Sequence, residues 1–300
     1  MPDFLHVALI GAIAAVAHYF PYHLLMFSYA VLGPIHYFTQ MTWLHDRSYF
    51  VAGRWFVPLF VLLTLGVLLS GNHAIAGLIL MTAFLIAAGA VITEDWRWRA
   101  AIVIAGFLVI LLVGHGEAVL AIAMILPTIA HVFLFTAILL WNSAAQERNL
   151  GKFLAFAALI LGAGSFFLPL NEMAAQDLTI TKFFKPTVDY LQLTFGLTDG
   201  AQAKLFGLLG FTFTYHYLYW LDKVALIKIQ HIPRHRLAGI GLFYLIALAS
   251  YAYDYDVGFY LLAFPSVLHV LLEFPLNVRS LFWLRRPVPG GVDAFLQRKS

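Results

Sequence analysis

Apolar runs approaching the length of a membrane span repeat along the whole chain, each bounded by a short cluster of charged or turn-forming residues. The hydrocarbon of a bilayer is about 30 Å thick, and a helix needs about 20 residues to cross it, whereas a barrel strand is shorter and alternates apolar with polar positions. The runs do not alternate, so the pattern predicts helices at 4–20, 22–44, 55–70, 74–93, 100–114, 117–142, 153–169, 202–222, 237–253 and 257–278. The expected fold class is all-α: a polytopic transmembrane helical bundle of about ten spans, forming a single integral membrane domain over residues 1–300. Tight turns at Pro21-Tyr22 and Gly71-Asn72-His73 join two pairs of spans. The 170–203 connection mixes charges with aromatics and reads as a cap or an interfacial helix on the non-cytoplasmic side.

Composition strengthens the membrane assignment. The chain is 62% hydrophobic and 11% charged, with a mean hydropathy of +0.85, far from a soluble domain. There is no cysteine, which excludes disulfides, thiolate ligands, thiol nucleophiles and cysteine-held iron–sulfur clusters. Basic residues fall in alternate connections: Arg47 and Arg54, Arg97 and Arg99, Arg148 and Lys152, then Lys223, Lys228, Arg234 and Arg236, with Arg279, Arg285, Arg286, Arg298 and Lys299 toward the C-terminus. The positive-inside rule makes these loops and both termini cytoplasmic. Lys182, Lys185 and Lys204 fall on the other side. Met1-Pro2-Asp3-Phe4 has no basic region ahead of its apolar run, so 4–20 is expected to be a retained helix rather than a cleaved signal.

Four histidines, His36, His131, His216 and His269, interrupt otherwise apolar spans that all run toward the cytoplasm. An ionisable group at mid-bilayer costs roughly 2.5 kcal/mol or more. His36 lies ten residues before Asp46, His131 ten before Trp141, His269 ten before Arg279, and His216 seven before Lys223. At about 1.5 Å rise per residue this places all four roughly 10–15 Å from one boundary, in a common layer. Imidazoles in an apolar pocket suit iron, copper or zinc rather than calcium or magnesium, and iron is the redox-capable choice. Glu273 follows His269 by four residues on the same helix face, where it can orient an imidazole, bind metal or act in catalysis. Thr39, Gln40 and Asn142 are weaker supporting candidates. Prolines 34, 127 and 265 precede three of the histidines and are expected to shape a pocket or simply to bend the spans.

The other histidines divide differently. His45 is out of phase with His36 and reads as interfacial, beside Asp46. His231 and His235 form an HxxxH pair whose Pro233 and basic neighbours favour a cytoplasmic loop near anionic headgroups. His6, His18, His23, His73 and His115 read as structural. Aromatics gather near the first and third site histidines, with Tyr37, Phe38 and Trp43 on one span and Tyr215, Tyr217, Tyr219 and Trp220 on the other. They suit either a long apolar substrate or ordinary packing and interface belts.

The stretches Pro34-Ile-His36, Ala130-His131, the helix bearing His216, and Pro265-Ser-Val-Leu-His269-Val-Leu-Leu-Glu273 resemble the Brp/Blh membrane β-carotene 15,15′-dioxygenases. The resemblance implies a non-haem iron held by histidines from several helices, which activates dioxygen to cleave a carotenoid. In this sequence His36 is followed by Tyr37, Phe38, Thr39 and Gln40, where the family has small residues and an aspartate. The reading is therefore a membrane-embedded, Fe(II)-dependent oxygenase of the bacterial inner (cytoplasmic) membrane acting on a lipophilic, carotenoid-like substrate. His36, His131, His216 and His269 would be ligands. Its partners would be that substrate, dioxygen and membrane lipids, with no nucleic acid. Zinc, copper or haem b remain as alternative cofactors, and a bis-histidine haem b electron carrier or a histidine-dependent transporter as alternative functions.

Overall fold

Helix starts follow local chemistry. The computed structural model describes residues 3–51, 55–113, 129–168, 192–193, 196, 198–225 and 232–284, which are almost entirely helical and contain no strand. In chain order the α-helices are α1 (Asp3–Tyr19), α2 (Pro21–Phe27), α3 (Gly33–His45), α4 (Phe56–Leu69), α5 (His73–Ile92), α6 (Trp96–Val113), α7 (Phe135–Glu147), α8 (Leu150–Ser165), α9 (Asp199–Trp220), α10 (Arg234–Tyr253) and α11 (Tyr255–Phe282). Asn149, Thr198 and Asp254 accept hydrogen bonds from backbone N–H groups three residues on and so cap α8, α9 and α11. Pro21 opens α2, where its missing N–H has no partner to lose. Arg148, at φ 50°, ends α7 in the left-handed conformation.

Among the described residues, three π-helical turns interrupt this regularity. Ser28–Leu32 joins α2 to α3, Ala130–Leu134 leads into α7, and Leu221–Ala225 extends α9. The first two carry the wide i→i+5 bonds Gly33 N–H to Ser28 O and Phe135 N–H to Ala130 O. Pro34 sits just beyond the first of them, in the opening turn of α3, where its ring does not break the helix. Pro265, by contrast, lies inside an unbroken α11. The expected contribution of Pro127 lies outside the described residues, as do most of 170–203, Arg54, Lys228, His115 and His231.

Described helices overlap each predicted stretch, with α2 and α3 forming one continuous element through their π turn, although residues 117–128 of the sixth stretch lie outside the described residues. Two boundaries differ in a way that matters for charge. Arg97 and Arg99 belong to the first turn of α6, where Asp95 Oδ1 accepts from Arg97 N–H at 2.9 Å. Arg234 and Arg236 belong to the first turn of α10, not to a loop. Three helical stretches among the described residues are long and apolar enough to cross a membrane: Ile75–Ile92, Arg234–Tyr253 and Tyr255–Phe282.

Helices α9 and α11 form the centre. α9 packs on α1, α2 and α3, and α11 on α3, α4, α5, α7 and α10. The core between them includes Trp43, Phe60, Phe84, Phe211, Tyr215, Leu271 and Leu276, and Trp43 meets Trp220 edge to face with centroids 5.1 Å apart. The outside is apolar too: Leu161 is 73% exposed on α8 and Phe243 is 56% exposed on α10. Polar ties gather at helix ends, such as Arg236 to Asp46 at 2.6 Å and Lys152 to Glu147 at 2.5 Å.

The close approach of α9 to α2 depends on Gly210. A Cβ there would lie 3.1 Å from Leu25 N and 3.3 Å from Pro21 O, both rigid backbone atoms. Gly210→Ala is expected to lower the thermal midpoint in detergent by several degrees, in line with an overpacking cost of about 1–3 kcal/mol. Gly241→Ala faces open space and is expected to be neutral or mildly stabilising. Equal effects of the two substitutions would contradict this packing.

Candidate metal centre

The four histidines predicted to share a depth also share a location. His36 comes from α3, His131 from the π turn before α7, His216 from α9, and His269 from α11. All are at most 5% exposed. Their rings form a closed circuit: His36 to His216 at 4.9 Å, His216 to His131 at 4.9 Å, His131 to His269 at 5.7 Å, and His269 to His36 at 5.4 Å between centroids. Glu273, one turn beyond His269, is 2% exposed and brings Oε2 to 3.3 Å from His131 Nε2.

The tightest donor set is not the four histidines alone. One ligand atom each from His36, His131, His216 and Glu273 lies within 4.8 Å of the others. His269 stands beside this group. Around one ion, bonds of about 2.0–2.2 Å would bring such donors within roughly 3.5 Å of one another, so side-chain shifts of about 1 Å close the set. Glu273 is thus placed among the candidate ligands as well as beside His131.

Buried polar atoms almost always find partners. Here, both ring nitrogens of His36 and Nε2 of His216 have no hydrogen-bond partner, while Nε2 of His131 and Oε2 of Glu273 have only each other, 3.3 Å apart. Donors with so few partners, gathered from His36, His131, His216 and Glu273 in one place, fit a metal ion as their common partner. A His/Glu group of this kind can bind a metal ion, and three imidazoles with a carboxylate suit a first-row transition metal.

Two residues absent from the predicted site fix imidazoles from behind. Thr136 Oγ1 donates to Val132 O at 2.9 Å, so it accepts from Nδ1–H of His216 at 2.8 Å. That tautomer leaves the lone pair on Nε2, among the other donors. Asn277 Nδ2 donates to His131 Nδ1 at 2.9 Å, which leaves the proton on Nε2 facing Glu273. A half-turn of the amide would present Oδ1 instead and free Nε2 as a ligand.

The weaker candidates separate on contact. Thr39 donates to carbonyl oxygens of its own helix, Ile35 at 2.7 Å and His36 at 2.9 Å, and Asn142 donates to Ser280 O at 3.3 Å, tying α7 to α11. Gln40 is fully buried, with its amide directed at the Glu273 carboxyl.

The remaining described histidines lie elsewhere. His45 meets the Tyr49 hydroxyl at 3.3 Å near the surface, and His235 is exposed at the start of α10. His18 bonds to Ser165 at 2.8 Å and stacks on Phe166, and His6 pairs with Asp222 at 3.2 Å and with Tyr215 at 3.3 Å.

Aromatic rings close the cluster. Tyr217 and Trp220 lie 4.6 and 5.8 Å from His36, and Tyr37 lies 5.4 Å from His269. A cavity of about 210 Å³ opens against His131 and His269, walled mainly by apolar side chains of α4, α5, α9 and α11.

Thr136→Val and Asn277→Leu are each expected to weaken binding of a divalent transition metal by about ten- to hundredfold, as loss of an imidazole's supporting hydrogen bond does elsewhere. Titration of zinc into chelator-treated protein in detergent reads this directly. Unchanged affinity in both variants would reduce the two contacts to packing. Against models of protein families, curated proteins and solved structures the chain finds no match, so its function is read from this geometry and from the sequence.

Proposed function

We propose that the chain is a multi-pass protein of the bacterial cytoplasmic membrane that uses a non-haem iron to oxygenate a lipophilic, carotenoid-like substrate entering from the bilayer. The ten apolar stretches would cross the membrane with both termini cytoplasmic, as the alternation of basic residues suggests. The apolar outer faces and the three long apolar helices support that placement.

The observation that carries the reading is the adjacency of two features. A cluster of buried imidazole nitrogens and one carboxylate oxygen lies at the helix junction, and a mainly apolar cavity opens against its histidines. His36, His131, His216 and Glu273 would hold the ion, with His269 beside them as a further donor. When bound, iron supplies the binding and activation of dioxygen that side chains of this kind cannot provide alone. Thr136 holds His216 in the tautomer that presents Nε2. Asn277 does the same for His131 once its amide turns. The Glu273 carboxylate offsets positive charge brought into an otherwise neutral ring of imidazoles. Tyr217, Trp220 and the cavity walls exclude water, which protects reactive species from side reactions. Cleavage of one carbon–carbon double bond by one dioxygen gives two carbonyl groups, so this overall reaction needs no outside electrons.

The donor crowding also bears on the haem alternative. A porphyrin between two axial histidines would need the lateral room that the other two histidines and Glu273 occupy. The arrangement favours a single ion.

Elemental analysis and a visible spectrum of detergent-purified protein test the proposal. The expected result is about one iron per chain with no Soret band, lost in His36→Ala and in His131→Ala while both variants keep their helical circular dichroism. A folded wild type that takes up no iron on anaerobic reconstitution, or one with a Soret band, would overturn it.

A further inference from the structure

The cavity is not uniformly apolar. Tyr29, Tyr37, Tyr217 and Tyr251 all contribute to its wall, from the π turn after α2, from α3, from α9 and from α10. Their hydroxyl groups lie near enough to influence one another electrostatically. Apolar packing alone would place phenylalanine at such positions, because a buried hydroxyl without a partner is unfavourable.

Tyr37 is the informative member. It is 3% exposed, and its hydroxyl makes no hydrogen bond. It borders the cavity, and its ring lies against His269. Tyr217, on the same cavity, lies against His36. The tyrosine end of the cavity is therefore also the histidine end. The part of the wall that α4 and α5 supply, Val67, Leu68, Leu80 and Phe84, offers only hydrocarbon. No Lys, Arg, Asp or Glu lines the cavity among the described residues, so nothing there would neutralise a charged headgroup.

We propose that this cavity selects a lipophile carrying a neutral oxygen function, a hydroxyl or a carbonyl, which the Tyr37 hydroxyl receives while the apolar remainder lies along α4 and α5. A phenol both donates and accepts, so it suits either group. This deepens the oxygenase reading by naming the substrate class, and it rests on that reading only for what happens after binding. Because the anchoring hydroxyl stands beside the histidine cluster, the carbon that reacts lies close to the oxygen-bearing end of the molecule rather than at the middle of a long chain.

The test uses the purified full chain, stripped of metal, with farnesol and with the hydrocarbon farnesene, which has the same carbon skeleton without the hydroxyl. Ligand-dependent thermal stability is titrated for wild type, Tyr37→Phe, Tyr251→Phe and the double variant. Farnesol is expected to reach its half-maximal effect at about fivefold to tenfold lower concentration than farnesene in wild type, the worth of one hydrogen bond. Tyr37→Phe removes that preference, leaves the farnesene response intact and, without ligand, is at least as stable as wild type. Dioleoylphosphatidylethanolamine, whose polar group stays at the bilayer edge, gives no shift that depends on Tyr37.

Equal midpoints for the two probes in wild type would overturn the proposal without any variant. So would a preference that survives in Tyr37→Phe, a ligand-free Tyr37→Phe protein that is clearly destabilised, or a Tyr37-dependent response to the phospholipid. Selectivity for farnesol in a chain that binds no metal would sink the oxygenase and keep this site. Iron uptake with equal probe midpoints would do the reverse.

Discussion

The organising constraint is the burial of four imidazoles and a carboxylate at one helix junction. Each such group costs roughly 2.5 kcal/mol or more when it leaves water for the centre of a bilayer, so five together demand compensation. Part of it comes from Thr136 and Asn277, which satisfy one nitrogen each. Both nitrogens of His36 and Nε2 of His216 have no protein partner. The surrounding helices are arranged to tolerate this: α9 and α11 hold the centre, and the large aromatic side chains Trp43, Tyr217 and Trp220 pack around His36 and its neighbours. The rest of the packing reads as a support for a polar knot that the apolar side chains around it could not stabilise.

Much of this was legible along the chain. Helix positions followed from apolar run length, and the convergence of His36, His131, His216 and His269 followed from a single measure, their distance to the next boundary. Glu273 was found by i,i+4 spacing from His269. What escaped was everything that depends on angular register across an irregular turn. Thr136 is five residues after His131, which in a regular α-helix puts it well round the cylinder from its neighbour. The wide turn Ala130–Leu134 intervenes, and no 3.6-residue count anticipates where it leaves the next helix. Asn277 was within reach of the same spacing argument, since it lies one turn beyond Glu273, but asparagine in an apolar helix gives no signal by itself. Conversely, Asn142 and Thr39 had suitable chemistry and depth yet serve helix contacts, because side-chain direction decides what a residue at a given depth touches.

The irregular turns also explain how the helices meet. In Ser28–Leu32 the hydroxyl of Ser28 bonds to Thr214 of α9 at 2.5 Å, so the first π turn is tied to the helix that carries His216. The second places His131 itself. Such turns are uncommon and cluster at functional positions; here each stands beside a site residue and sets the direction of the helix that follows.

Chain order adds a consequence for assembly. His36, His131 and His216 all precede α11, which supplies both His269 and Glu273. During synthesis the segments that bear these three imidazoles are made before the segment that bears the carboxylate. The carboxylate arrives only with α11, when the three imidazoles are already in place to receive it. Assembly thus adds the carboxyl group last, at the step when the side chains that surround it already exist.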